Sequence, residues 1–366
     1  MPFFRAPGLP FFIATVTLCH TEMIWLVKTA LAAVDTVSAA IVFLLAEELF
    51  RNRRTSFVAA TAAAIYPFFI AQVCDIQTEG LFMFLFITAV WLALRAVRRP
   101  VPYLLLLPGM CAGAAALVRP VGLILLPLLA AIPIYFASSG AVKNRNRLRL
   151  LASFAIGAAI CLGPWVVRNG LRYHELILVN DAGGYNFWRG TSAEMAEIGR
   201  IADPQAFSDA SIRFETITSP AIAREVDRAA NTPSSRSREW YKRALHSFAE
   251  DPGAFSLRLF RNALAYWRPW LNPQTHSRAV VAVSGFVMLL LDIFALLGWN
   301  LLRTRDGRLA WWCAAGALLF WILQIPFQVV SRFRIPITDP LLIIFAAAAL
   351  TAVGKRRQLV RPSQKV

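Results

Sequence analysis

The strongest constraint on the fold is a succession of apolar runs, each near the ~20 residues that a helix needs to cross hydrocarbon. In order they fall at about 28–50, 57–73, 79–97, 101–118, 121–137, 150–166, 279–302, 309–328 and 335–353, the fifth being short. A soluble domain carries about a quarter charged residues. Here charged residues make up 16% and hydrophobic residues 57%, with a mean hydropathy of +0.54. The chain therefore reads as an all-α polytopic membrane protein, a helical bundle of about nine spans. Residues 1–166 would hold six of them and 279–366 three, ending in a basic cytoplasmic tail. Between them, 167–278 would form one extracytoplasmic insertion, α/β or mostly helical.

In a soluble chain a net charge of +17 would point to nucleic acid, but here the basic residues must be read against topology. Arg51/Arg53/Arg54, Arg95/Arg98/Arg99, Lys143/Arg145/Arg147/Arg149, Arg303/Arg305/Arg308 and Lys355/Arg356/Arg357 alternate along the chain with basic-poor connectors. The positive-inside rule makes all five clusters cytoplasmic, and no nucleic-acid partner is implied. Asp75–Glu79, the Arg119–Pro120 corner, 167–278 and Ser331–Arg334 then share the external face. By the same alternation Met1 to about Val27 is external, although Met1–Pro10 is too short for a cleavable signal. The expectation is that a leading span is missing from this sequence. Leu9–Leu18, only ten residues long, reads as an interfacial or re-entrant segment.

Five cysteines show no CxxC pair, and the four histidines, His20, His174, His246 and His276, are scattered. No disulfide framework, zinc site or cofactor is indicated, and a divalent metal stays open. In the external segment, Asn169–Gly190 reads as a short strand, a Gly-Gly turn and an aromatic cluster. Glu239–Trp270 reads as helices broken at Asp251-Pro252-Gly253.

Pro67–Phe84 is the stretch with the most chemistry. Two apolar runs flank Asp75–Glu79, and neither carries a basic residue. Carboxylates are costly in hydrocarbon, so this patch belongs at a membrane surface or in a wet cavity. A helix starting near Asp75 would set Asp75 and Glu79 on one face at its positive end. A helix cap on a solvated loop is the plainer reading.

The chain resembles the bacterial branch of the GT-C-type glycosyltransferases, the dolichyl-phosphate-mannose–protein mannosyltransferase and lipid A aminoarabinose transferase relatives. Arg5-Ala6-Pro7-Gly8-Leu9-Pro10 is similar to that family's R-x-P-G-Y-P, and Leu117-Val118-Arg119-Pro120 to its L-x-R-P. Thr78-Glu79 opens a helix, and Pro164-Trp165 precedes Arg168-Asn169. Gly183-Gly184-Tyr185-Asn186 with Gly190 is similar to its G-G-x-N…G-N, here ending in Thr191. Arg332-Phe333-Arg334-Ile335-Pro336 is similar to its R-Y-R-x-P. The resemblance implies a GT-C fold in a bacterial inner membrane, with the active face periplasmic. It implies a polyprenyl-phosphate sugar donor among the membrane lipids and a protein or lipid glycan acceptor. The family's first external loop carries an acidic residue ahead of this motif, and the expectation is that this loop is missing along with the leading span.

Such a transfer needs a carboxylate to take the acceptor's proton and positive charge for the departing phosphate. Asp75 and Glu79 are the candidate catalytic carboxylates, with Asp181 further out. Arg5, Arg119, Arg168, Arg332 and Arg334 are the candidate phosphate ligands, because guanidinium matches phosphate geometry. Arg332 and Arg334 would clamp a phosphate only from an extended loop, where they share a face. Tyr185, Asn186 and Trp188 are candidate sugar or acceptor contacts. The plainer readings stay beside these: arginines as interface anchors, aromatics as an interfacial belt, and Lys28 and Asp35 satisfying each other in the first span. A catalytically inactive relative or a membrane transporter is the alternative function. A transporter would be expected to show matching halves, and the insertion between the sixth and seventh runs breaks any such symmetry.

Overall fold

The computed structural model describes residues 5–20, 22–74, 76–97, 101–136, 144–274, 276–327 and 331–360. Among them every regular element is helical. α1 (Gly8–Thr17), α2 (Ile24–Phe50), α3 (Arg53–Ala64), α4 (Pro67–Cys74) and α5 (Thr78–Val97) come first. A 3-10 turn at Pro102–Leu105 leads into α6 (Leu106–Val118), followed by α7 (Val121–Tyr135) and α8 (Asn144–Tyr173). Six helices follow: α9 (Gly183–Thr191), α10 (Ala193–Ile198), α11 (Pro204–Arg213), α12 (Ser219–Ala229), α13 (Pro233–Glu250) and α14 (Pro252–Trp267). α15 (Arg278–Arg305), α16 (Gly307–Gln324), a 3-10 turn at Ser331–Arg334 and α17 (Thr338–Val360) complete the chain.

Among the described residues, four helices are long and apolar enough to cross a bilayer: α2, α5, α8 and α15. The run expected as one span at 57–73 is a broken pair, α3 and α4, bent by 46°. Pro67 accounts for the break, since a proline disfavours the helical conformation in the residue before it. Counted as one, the pair makes a fifth span; α1, α7 and the apolar stretches Tyr103–Val118 and Thr338–Val353 are shorter.

The chain divides into two compact units. The larger comprises Pro7–Gly163, Leu289–Leu318 and Ile335–Val366. In it α2 packs on α3 and α5, and α5 buries Phe82, Met83, Ile87, Ala89 and Ala93. Small residues let α6 and α8 approach closely. A Cβ on Gly109 would stand 2.2 Å from the Phe154 carbonyl oxygen, and one on Gly157 2.1 Å from that of Leu106. Without a hydrophobic drive between helices in lipid, such backbone contact is what holds spans together.

The smaller unit comprises Met1–Ala6, Pro164–Met288 and Leu319–Arg334. Its core is aromatic. Trp188 and Trp240 lie 4.7 Å apart between centroids, with Tyr185, Phe214 and Val226 around them. The strand expected within Asn169–Gly190 is not there. Trp165 Nε1 donates to the Val179 carbonyl at 2.8 Å and Asn169 Nδ2 to that of Ile177 at 3.0 Å, so side chains occupy acceptors that a strand neighbour would use. The Gly-Gly pair opens α9 instead of a turn. Gly184 is needed there because a Cβ would stand 2.0 Å from the Ser237 carbonyl oxygen of α13.

Candidate active site

In the larger unit, α4 ends and α5 begins across a tight turn. Ile76 takes a left-handed conformation, φ 49°, which is unusual for a β-branched residue. The Gln77 N–H reaches back to the Gln72 carbonyl at 3.3 Å. Asp75 lies outside the described residues. Starting α5 at Thr78 puts Glu79 in its first turn, where the helix dipole favours an anion.

Glu79 is only 3% exposed, and it is met by the residue that the next loop supplies. α6 stops at Val118, and Arg119 leaves it in an extended conformation because Pro120 follows and starts α7. Arg119 Nη1 lies 2.9 Å from Glu79 Oε1 and 3.3 Å from Thr78 Oγ1, and the Thr78 hydroxyl donates to Glu79 Oε2 at 3.1 Å. A carboxylate, a guanidinium and a hydroxyl thus form one cluster where α5 and α7 begin. Desolvation offsets most of the attraction in such a pair, so it is weak as a stabilising device. Its chemistry is the stronger reason to notice it.

Two further groups border the cluster. Gln72 on α4 is 3% exposed and donates through Nε2 to the Phe68 carbonyl at 3.2 Å. Its Oε1 is buried with no hydrogen-bond partner among the described residues, and a Cβ on Gly80 would stand 3.7 Å from it. Pro7-Gly8 of the first motif sits against Leu117-Val118, directly before Arg119. A Cβ on Gly8 would lie 2.6 Å from Val118 Cγ2, so only glycine lets α1 come this close. Sequence reading missed Gln72, and its signal was a single amide inside the apolar stretch PFFIAQVC. It also missed the buried pair in which the Tyr66 hydroxyl donates to Asp339 Oδ2 at 2.9 Å, two residues 273 apart in sequence.

Of the residues singled out in the sequence, the structure brings Glu79 and Arg119 together. Arg5 is exposed in a bend. Arg168 is exposed at the end of α8, its guanidinium 4.9 Å from the Trp165 ring centroid and its Nη1 donating to Asn169 Oδ1 at 3.1 Å. Tyr185 and Trp188 are buried in the aromatic core, and Asn186 is exposed on the outer side of α9.

The condition for an Arg332–Arg334 clamp, an extended loop, is not met: Ser331–Arg334 is a 3-10 turn. The Arg332 side chain lies outside the described residues. Arg334 is 1% exposed, with Nη2 3.9 Å from Met288 Sδ, where a surface arginine had been expected.

Comparison with known proteins adds one match. Residues 4–167 fit the family model described as dolichyl-phosphate-mannose-protein mannosyltransferase. That stretch holds Pro7-Gly8, Thr78-Glu79 and Arg119-Pro120, and stops one residue short of Arg168. It is the part of the chain in which the Glu79–Arg119 cluster lies. No curated protein matches the chain.

Proposed function

We propose that the chain is a membrane glycosyltransferase that moves a sugar from a polyprenyl-phosphate donor to an acceptor on the external face. The observation that carries this is the buried Glu79–Arg119 pair, set inside the segment that fits the mannosyltransferase family model. The acceptor hydroxyl or amine attacks the anomeric carbon from the side opposite the phosphate. The bond between that carbon and the phosphate oxygen breaks, its electron pair leaves with the phosphate, and the configuration inverts. The acceptor's proton passes to a carboxylate, the role given to Glu79. Arg119 supplies positive charge where negative charge develops on the leaving phosphate.

The 2.9 Å contact couples these two roles. A donor phosphate would compete with Glu79 for the Arg119 guanidinium, so donor binding would free the carboxylate for the acceptor's proton. Gln72 Oε1, buried beside the first turn of α5, is placed to accept a hydrogen bond from a hydroxylated substrate. The orientation that follows from the basic clusters puts the site on the external face of the bacterial inner membrane, with a protein or lipid glycan as acceptor.

The test is release of free polyprenyl phosphate in proteoliposomes given a panel of synthetic polyprenyl-phosphate hexoses and pentoses. Glu79→Gln is expected to slow release by about 10²–10⁴-fold, the usual contribution of general base catalysis, with donor affinity retained. Arg119→Ala is expected to weaken donor binding as well. A wild-type protein that binds none of the donors, or equal turnover in all three proteins, would remove the assignment.

A further inference from the structure

The smaller unit contains a second candidate ligand site, a cleft of about 230 Å³ between α9, α12 and α13. Its volume is many times the ~30 Å³ share of one liquid water and just below the ~300 Å³ at which drug-sized pockets begin. It has room for one ring. Ser219 and Ala223 of α12 leave the hollow, while Tyr185 and Trp240 form the opposite wall. The polar end is Asp181, 9% exposed, with Arg236 beside it.

This polar end is incompletely satisfied. Arg236 Nη1 donates to Asp181 Oδ2 at 3.5 Å, and its Nε, 2.9 Å from Asp227 Oδ1, is buried without an aligned hydrogen bond among the described residues. A carboxylate offers about four acceptor positions, which leaves Asp181 capacity for donors arriving from the cleft. The Ser219 hydroxyl lies 3.0 Å from that of Tyr185, and whichever of the two donates, the Ser219 oxygen keeps a lone pair for a donor from the cleft. Within the space of one ring there are thus a strong acceptor, a guanidinium and a hydroxyl. A pure cation has nothing to accept from Arg236, and an anion is repelled by Asp181. A hydroxyl group does both jobs, and a sugar ring carries several of them around an apolar C–H face that suits Ala223 and the aromatic wall.

We propose that the cleft beside Asp181 binds a single neutral sugar ring. This goes beyond the transfer reading and does not depend on it, since binding alone is claimed. The probes are methyl glycosides of glucose, galactose and mannose, added to the intact protein in a detergent without a sugar headgroup. The readout is saturation-transfer NMR, with ethanolammonium and inorganic phosphate as charged controls. Wild type is expected to transfer saturation to at least one glycoside. The signal should fall at least fivefold in Ala223→Leu, which fills the hollow, and in Asp181→Asn, which removes the anionic acceptor.

A signal lost in Glu79→Gln but retained in Asp181→Asn would assign glycoside binding to the transfer site and overturn the proposal, which separates failure here from failure of the transfer reading. Elution volume and helical circular dichroism identify any variant that misfolds. If Ala223→Leu does so, Asp181→Asn and Ser219→Ala decide. No transfer in wild type, transfer to a charged probe only, or a signal unaffected by the folded cleft variants would each overturn the proposal.

Discussion

Arg334 shows how burial changes the meaning of a residue. As a surface group it would have contributed little to stability; at 1% exposure, among the largest fully buried side chains, it fills volume that nothing else would fill. Arg334→Ala is expected to cost about 2–5 kcal/mol, the range for large-to-small changes in a core, read as a lowered thermal midpoint in detergent. A midpoint unchanged within error would return Arg334 to the surface. Asp181 makes the opposite case. Burial raises its pKa above the ordinary 3.8, and the Arg236 charge offsets only part of the rise. A carboxyl with a raised folded pKa favours the folded state while protonated. That contribution is fully present below 3.8 and is lost as pH climbs through the folded value. Asp181→Asn is expected to flatten the decline of the thermal midpoint in this window and to match or exceed wild type at pH 7. A steeper decline in the variant would reverse the sign. Glu79 and Arg119 were each legible as charges at the ends of apolar runs on one predicted face. Their contact was not, because it needs α5 and α6 to be neighbours and Pro120 to turn Arg119 out of its helix.

At the scale of elements, four of the nine apolar runs hold described helices long enough to cross a bilayer and a fifth holds a bent pair, while glycine marks one crossing that run length did not show. α8 contains a direct contrast. A Cβ on Gly157 would stand 2.1 Å from the Leu106 carbonyl oxygen, whereas Gly163, six residues on in the same helix, has nothing within 4 Å. Gly157→Ala is expected to destabilise by about 1–3 kcal/mol through overpacking against backbone that cannot move aside. Gly163→Ala should be neutral, or gain up to ~1 kcal/mol from the intrinsic preference of helices for alanine. Thermal unfolding of the two variants side by side tests this, and equal midpoints would mean that α6 and α8 do not cross at Gly157. The expected strand failed for a physical reason. Leu176, Ile177, Leu178 and Val179 have the composition of a strand, but Asn169 and Trp165 claim the Ile177 and Val179 carbonyls. Trp165 and Asn169, quoted only as part of a motif match, serve here as local clamps, and only the three-dimensional partners reveal that use.

Across the larger unit, charge is sorted by end. The Arg305 guanidinium meets the Phe50 carbonyl, one residue before Arg51, so the clusters at 303–308 and 51–54 adjoin. The Thr55 and Thr351 hydroxyls are 2.8 Å apart, which brings α3's basic start to the end of α17 that runs toward Lys355. The Arg308 guanidinium lies 5.7 Å from the Tyr135 ring centroid, at the end of α7 that leads toward the basic stretch 143–149. These segments were linked in the sequence only by alternation; the three contacts bring Arg305, Arg308, the start of α3, Thr351 and the end of α7 together. Arg95, in the last turn of α5, is a helix length from the Glu79 cluster in its first turn. If the basic end faces the cytoplasm, the Glu79–Arg119 cluster faces outward, where the proposed donor would present its phosphate. Single cysteines at Asp306 and at Asn231, in a background without the five native ones, test this in intact cells with a membrane-impermeant maleimide. Asn231 is expected to label in intact cells and Asp306 only after permeabilisation. The reverse pattern would place Glu79 and Arg119 on the cytoplasmic side and exclude an external acceptor.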